Sequence, residues 1–195
     1  MTRSLLPIEP SGRAAASRRK RLASIVRRRI LGLVDRRRVL YRWDGEDLGQ
    51  SSAVNARRFS SIGDLAGTTL SIAPKSWFET LFAEKAVLWA VPDGDGLGAC
   101  AWVVAGSDLK DWYVPLYPKD RLVYAVVASP DKRGGGIVPK LVREIIRRER
   151  AQEGRFYLDC MAWNRSARRA FEKAGFRAFA LVGPFGRVRD IAAND

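Results

Sequence analysis

The chain has 195 residues, with 35 Lys and Arg against 21 Asp and Glu, no His and two Cys, for a net charge of +14. At 47% hydrophobic and 10% aromatic it holds enough apolar volume for one α/β core with an appendage. Two cysteines are too few to imply a disulfide framework, the lack of His and of paired Cys motifs argues against a metal, and no apolar run reaches the ~18 residues of a membrane span. Cys100 and Cys160 each lie in an apolar, strand-like run, the usual place of a buried free thiol. A cytoplasmic protein is the expectation.

The charge is unevenly placed. Residues 1–38 hold twelve Lys and Arg against Glu9 and Asp35, so most of the excess lies in an N-terminal arm. Residues 1–17 read as a tail of Pro, Gly, Ser and Ala. From Arg18 to Arg38 the apolar residues Leu22, Ile25, Val26, Ile30, Leu33 and Val34 form one helical stripe, with Arg27, Arg28 and Arg29 on the far side. A basic amphipathic helix of this kind has four uses: packing on its own domain or a partner, lying on an anionic membrane surface, binding nucleic acid, or holding an acidic protein. The arginines split the apolar stretch, against a signal peptide, while an organellar transit peptide is an alternative.

Residues 39–56 read as a short strand (Val39–Trp43) and a polar linker, with the core beginning near Arg57 and running to residue 190. Ser71–Ala86 is predicted as a helix, with Pro74 near its first turn and Trp77, Phe78, Leu81 and Phe82 on one face. Val87–Val91 and Gly98–Ala105 are predicted as a β-hairpin around an Asp-Gly-Asp-Gly turn. The segment from Ser107 to Arg121 places Trp112, Tyr113 and Tyr117 among prolines and charges.

Leu122–Ala128 is a Val-rich run suited to a strand buried on both faces. Gly134, Gly135 and Gly136 follow it and precede a helix over 137–152, whose unpaired N–H groups and positive dipole end point into the turn. The turn lacks the Gly-Lys-Ser/Thr of a P-loop and the G-x-G-x-x-G spacing of a dinucleotide fold. A strand over 155–161, a helix over 165–174 and a last apolar stretch, Phe176–Val182, complete the pattern.

Two blocks carry a resemblance. Arg133, Gly136 and Val138 fit the Gln/Arg-x-x-Gly-x-Gly/Ala signature of the GCN5-related N-acetyltransferases (GNAT), with Val138 departing at the third position. Asn164, Ala167, Lys173, Gly175 and Phe176 fit that family's N-x-x-A-x-x-x-Y-x-K-x-G-F pattern, with Phe171 in place of Tyr. The chain resembles this family over roughly residues 57–185. The resemblance implies an α/β (α+β) fold with a mixed, mostly antiparallel central sheet flanked by helices, here preceded by the basic amphipathic helix. It implies N-acetyl transfer from acetyl-CoA to an amine of unknown class by direct attack in a ternary complex, without a metal.

For the site, the resemblance implies backbone contacts to the cofactor from Val126, Val127 and Ala128 on the strand. It adds Arg133, Gly134, Gly135, Gly136, Ile137 and Val138 in the turn, and Asn164, which is also suited to cap its helix. The β-branched Val138 is expected to narrow the approach to the turn. Phe171 removes the family's acid. Asp159, which stands where some relatives carry a base, and Tyr124 are the candidate proton carriers, and Cys160 is read as structural rather than nucleophilic. Trp112, Tyr113 and Tyr117 are candidate acceptor contacts, with packing of an irregular loop as the alternative. Two other readings stand beside the enzyme: a catalytically weakened coenzyme A-binding scaffold, and a membrane-surface or nucleic-acid binder acting through the arm.

Overall fold

The Val- and Ala-rich runs become strands and the amphipathic stretches become helices. The structure, a computed structural model, describes residues 35–45, 48, 54–109, 111–150 and 154–191. The strands are β1 (Arg38–Trp43), β2 (Arg57–Phe59), β3 (Val87–Asp93), β4 (Gly96–Ala105), β5 (Arg121–Ala128), β6 (Phe156–Met161), β7 (Arg177–Val182) and β8 (Val188–Asp190). The helices are α1 (Lys75–Ala83), α2 (Ile137–Glu149) and α3 (Arg165–Lys173). One eight-stranded sheet runs in the order β2-β3-β4-β5-β6-β1-β7-β8. Only β5 and β6 pair in parallel among its named neighbours, so the mixed, mostly antiparallel α/β expectation holds.

The largest departure from the sequence reading is β1. It is not a strand beside a linker outside the core, and the core does not begin at Arg57. β1 lies inside the sheet, paired along its length with β6 on one edge and β7 on the other. The reason is its two apolar faces: Val39, Tyr41 and Trp43 join one core cluster and Leu40 another. Such a strand loses water from both faces only between two neighbours with layers above and below. The helix expected over 18–38 falls outside the described residues as far as residue 34; Asp35–Arg37 are not helical, and Arg38 opens β1.

The other elements keep their places and shift at their ends. The first helix begins at Lys75 rather than Ser71, because Pro74 takes the N-cap with extended ψ of 147°. The hairpin closes through Gly94-Asp95, and its register slips between Val91 and Pro92, where proline offers no N–H to the ladder. On one face of the sheet, α2 sinks Leu141, Val142, Ile145 and Ile146 into the main cluster, and Phe171 of α3 joins them. On the other, Phe78 and Leu81 of α1 cover a second cluster with Trp102 at its centre. The Trp102 ring meets Phe82 at 4.7 Å, Phe78 at 5.8 Å and Trp77 at 5.9 Å. Among the described residues, no helix is long and apolar enough to cross a membrane.

Candidate active site

The site begins where the sheet fails to stay paired. β5 and β6 share only the pairs Arg121 with Phe156 and Leu122 with Tyr157, and then part. From Val123 onward the edge of β5 that faces β6 has no strand partner, which leaves backbone donors and acceptors open to an extended ligand. A bulge accompanies the parting. Tyr124 pairs with Trp102 and Val127 with Cys100, so Ala125 and Val126 together oppose the single residue Ala101, and Ala125 takes φ of +49°. The run expected to be buried on both faces is therefore half-open from Tyr124 to Val127.

A cleft of about 1310 Å³ occupies the parting. Asn164, Ala167 and Phe171 line it from the α3 side, and Leu109, Trp112 and Tyr113 from the opposite face of the sheet. Val126, Tyr124 and Asp159 lie between. One opening thus reaches both faces of the sheet through its middle.

The turn after β5 is tied down on its protein side. The Ser129 N–H and hydroxyl both donate to the Gly98 carbonyl, at 2.9 and 3.1 Å. Arg133 Nε donates to the Ala128 carbonyl at 3.1 Å, and Lys132 pairs with Asp93 at 3.0 Å and Asp131 at 3.6 Å. Both cations thus help to hold the turn. A Cβ on Gly135 would meet the Lys132 carbonyl at 3.5 Å, but the glycines on either side of it stand in open space. Gly134 and Gly136 have φ of +84° and +76°, and nothing lies within 4 Å of where a Cβ would stand on either. Gly136 N-caps α2, and the first helical bond, from Lys140 N to Gly136 O, is 3.4 Å. The N–H groups of Ile137 and Val138 precede that bond and lack an acceptor within the helix. Val138 does not narrow the approach as expected: its side chain packs with Ile137 against the main core.

The remaining candidates divide. Asn164 caps α3, its Oδ1 accepting from Ala167 N at 3.2 Å, and it also lines the cleft. Val127 packs into the cluster beneath α1 and Ala128 into the main core, so only their backbones are offered. Phe171 is buried, edge-on to Tyr41 at 5.9 Å, and brings no hydroxyl to the cleft. Asp159 does reach the cleft, but Arg38 Nε donates to its Oδ2. Tyr124 is in the cleft, and burial, with Glu84 adding to it, pushes its hydroxyl up to about 12. Cys160 lines the cleft as well, and burial pushes its thiol up to about 11, away from a thiolate nucleophile.

Trp112 and Tyr113 line the cleft, whereas Tyr117 does not and stands 71% exposed. Buried Asp120 explains the difference: its Oδ2 accepts from Tyr117 N at 2.8 Å and its Oδ1 from Arg155 N at 3.0 Å, fixing a turn that leaves the Tyr117 ring outside. Sequence reasoning missed Arg38, Glu84, Lys85, Asp108 and Asp111, which also line the cleft. No local pattern marks them, because they come from separate segments. Among the described residues, no group of three or more His, Cys, Asp or Glu is placed to hold a metal ion.

With this geometry in place, comparison with known proteins is decisive for the family. Residues 66–176 match the model of the acetyltransferase (GNAT) family. The chain belongs to that family. Its members transfer acyl groups and generally use acetyl-CoA. An acetyltransferase of the GNAT family from Colwellia psychrerythraea superposes with a TM-score of 0.55 at 16% identity, over 73% of this chain and 52% of its own. A protein assigned to GNAT acetyltransferases from Novosphingobium aromaticivorans gives 0.54 at 21% identity, over 75% of this chain and 62% of its own. At these identities the likeness is one of fold, and the chain spans little more than half the length of these structures. No curated protein matches the chain. Strand β1 lies outside the matched residues, although the sheet closes around it.

Proposed function

We propose that the chain is an acyl-coenzyme A-dependent N-acyltransferase, with acetyl as the acyl group, that works by direct attack of an amine in a ternary complex. The observation that carries this reading is the parting of β5 and β6, which puts an unpaired strand edge beside a cleft open to both faces. The residues fit the donor. The open space above Gly134 and Gly136 admits a diphosphate to the backbone, where the N–H groups of Ile137 and Val138 would meet it; Pro139 has none to give. The β5 edge at Val126–Ala128 would take the pantetheine arm as a partial extra strand, and an N–H there would polarise a carbonyl.

Acetyl-CoA bound in this way supplies an activated thioester: the amine nitrogen bonds to the carbonyl carbon, the carbon–sulfur bond breaks, and the proton nitrogen loses balances the one sulfur takes up. The chain's own groups constrain where those protons travel. Tyr124 keeps its proton until about pH 12, so it acts as a donor in the cleft and not as a base. Asp159 is held by Arg38, and Phe171 has no group that can take up or give a proton, so the proton from nitrogen leaves to solvent through the open mouth.

Titration calorimetry with acetyl-CoA, followed by thiol release over a panel of amines, tests this reading. Binding with release on at least one amine is expected. Binding without release on any would favour a coenzyme A-binding scaffold, for which the missing hydroxyl at Phe171 is the specific argument. Failure to bind would defeat both.

A further inference from the structure

We infer that the acceptor is a short linear polyamine, cationic at more than one nitrogen, entering from the face of the sheet that carries Trp112 and Tyr113. This rests on the acyl-transfer reading and names the substrate of the same site. The whole chain carries +14, yet among the described residues the mouth of the cleft has the opposite balance: Glu84, Asp108, Asp111 and Asp159 against Arg38 and Lys85. Both cations are already used, Arg38 on Asp159 and Lys85 on Asp108 at 3.1 Å. Glu84 and Asp111 have no ion-pair partner among the described residues, so two carboxylates remain for a ligand.

The mouth is more than an acidic cluster. It is the wall of a cavity that runs on to the β5 edge, and aromatic surface shares it. Tyr113 is 37% exposed and already takes the Arg38 guanidinium over its ring at 6.0 Å, so its face tolerates a cation. The Tyr124 hydroxyl, deeper in the cleft, makes no hydrogen bond among the described residues and is free to meet a polar ligand. A polyamine suits each part: ammonium groups for Glu84 and Asp111, methylenes for the rings, and one terminal nitrogen for the thioester.

Other amines fit less well. An amino acid would bring a carboxylate to a mouth whose cations are paired. A Lys-rich protein tail would meet the acidic mouth, but its carrier would also face the chain's net positive charge, most of which lies in residues 1–38. A small polyamine inside the cleft responds to the carboxylates within about one Debye length, ~8 Å in physiological salt, and little to the rest.

The test is thiol release from acetyl-CoA with spermidine, propylamine and a Lys-containing peptide. The KM for spermidine should lie at least about tenfold below that for propylamine and rise steeply from about 50 to about 500 mM NaCl. Glu84→Gln and Asp111→Asn should each raise that KM several-fold, with kcat changed less than about twofold and folding checked by circular dichroism. Equal or better turnover of propylamine or the peptide would overturn the inference while leaving acyl transfer standing, as would wild-type KM in both variants. If acetyl-CoA binds but no amine releases thiol, calorimetry with spermidine decides: equal affinity for wild type and the double variant overturns the inference. If acetyl-CoA does not bind at all, the acyl-transfer reading fails and the acceptor assignment goes with it.

Discussion

The glycine turn and the acidic mouth of the cleft adjoin the same strand and are made in opposite ways. The turn comes from consecutive residues after β5 and offers backbone: N–H groups, open space and a left-handed Gly136. The mouth is gathered from β1, the end of α1, the loop after β4, and β6, and it offers side-chain charge. A backbone site tolerates changes of side chain nearby but not an added Cβ at its glycines. A side-chain site tolerates movement of the chain but not loss of a charge, and its specificity drifts far more readily than its shape. On the proposed reading, donor recognition would be fixed while acceptor recognition is left adjustable.

The heaviest blow to this contrast is to remove what supports the mouth from below. Trp102→Ala empties the aromatic cluster beneath α1, the helix that carries Glu84 at its end, and should cost about 3–5 kcal/mol in denaturant unfolding. Next is Gly136→Val. A branched side chain at φ of +76° should lose about 1–2 kcal/mol of stability, and acetyl-CoA affinity should fall by roughly a hundredfold in calorimetry. Normal affinity in that variant would mean that the turn is not the donor site.

Arg38→Ala sharpens the other side of the comparison. It strips the partner from Asp159, whose side chain is only 9% exposed, and should destabilise by about 1–3 kcal/mol. Smaller still is a pH effect. The Tyr124 hydroxyl titrates near 10 when unfolded and near 12 when folded, so its contribution is complete below pH 10 and is lost as pH rises through 12. Tyr124→Phe should remove about 1 kcal/mol of that alkaline loss after allowing for solvent screening, measured by unfolding from pH 8 to 12. The smallest change is expected from Phe171→Tyr, which restores a hydroxyl to the cleft and should raise kcat only a few-fold, since a coenzyme A thiolate departs readily without help.

The same contrast explains what could be read from the residues. The glycine turn and the α3 block were legible because their chemistry is carried by neighbours in sequence, and both fall within the matched stretch 66–176. Asn164 was legible twice over, as a cap and as a cleft residue. Of the mouth, Asp159, Trp112 and Tyr113 were legible as candidates, but its charge pairing was not, because Arg38 and Asp159 meet across 121 positions with nothing local to announce it. Nor could composition separate Tyr113 from Tyr117, since two hydrogen bonds to a buried carboxylate decide which ring stays outside. Lys132 and Arg133 show a second role that sequence does not announce: basic residues beside a phosphate-type turn suggest ligand charge, and here they also brace the loop.

The interior place of β1 also bears on how the protein is made. The strand leaves the ribosome well before both partners that shelter its edges, β6 and β7. Until they appear, Val39, Leu40, Tyr41 and Trp43 stay exposed on two greasy sides, so biosynthesis passes through a long interval of stickiness in which a holding chaperone would be useful. The final closure has to thread an early segment between late ones, a slow, non-local step that makes assembly of the β6-β1-β7 trio the natural bottleneck of folding.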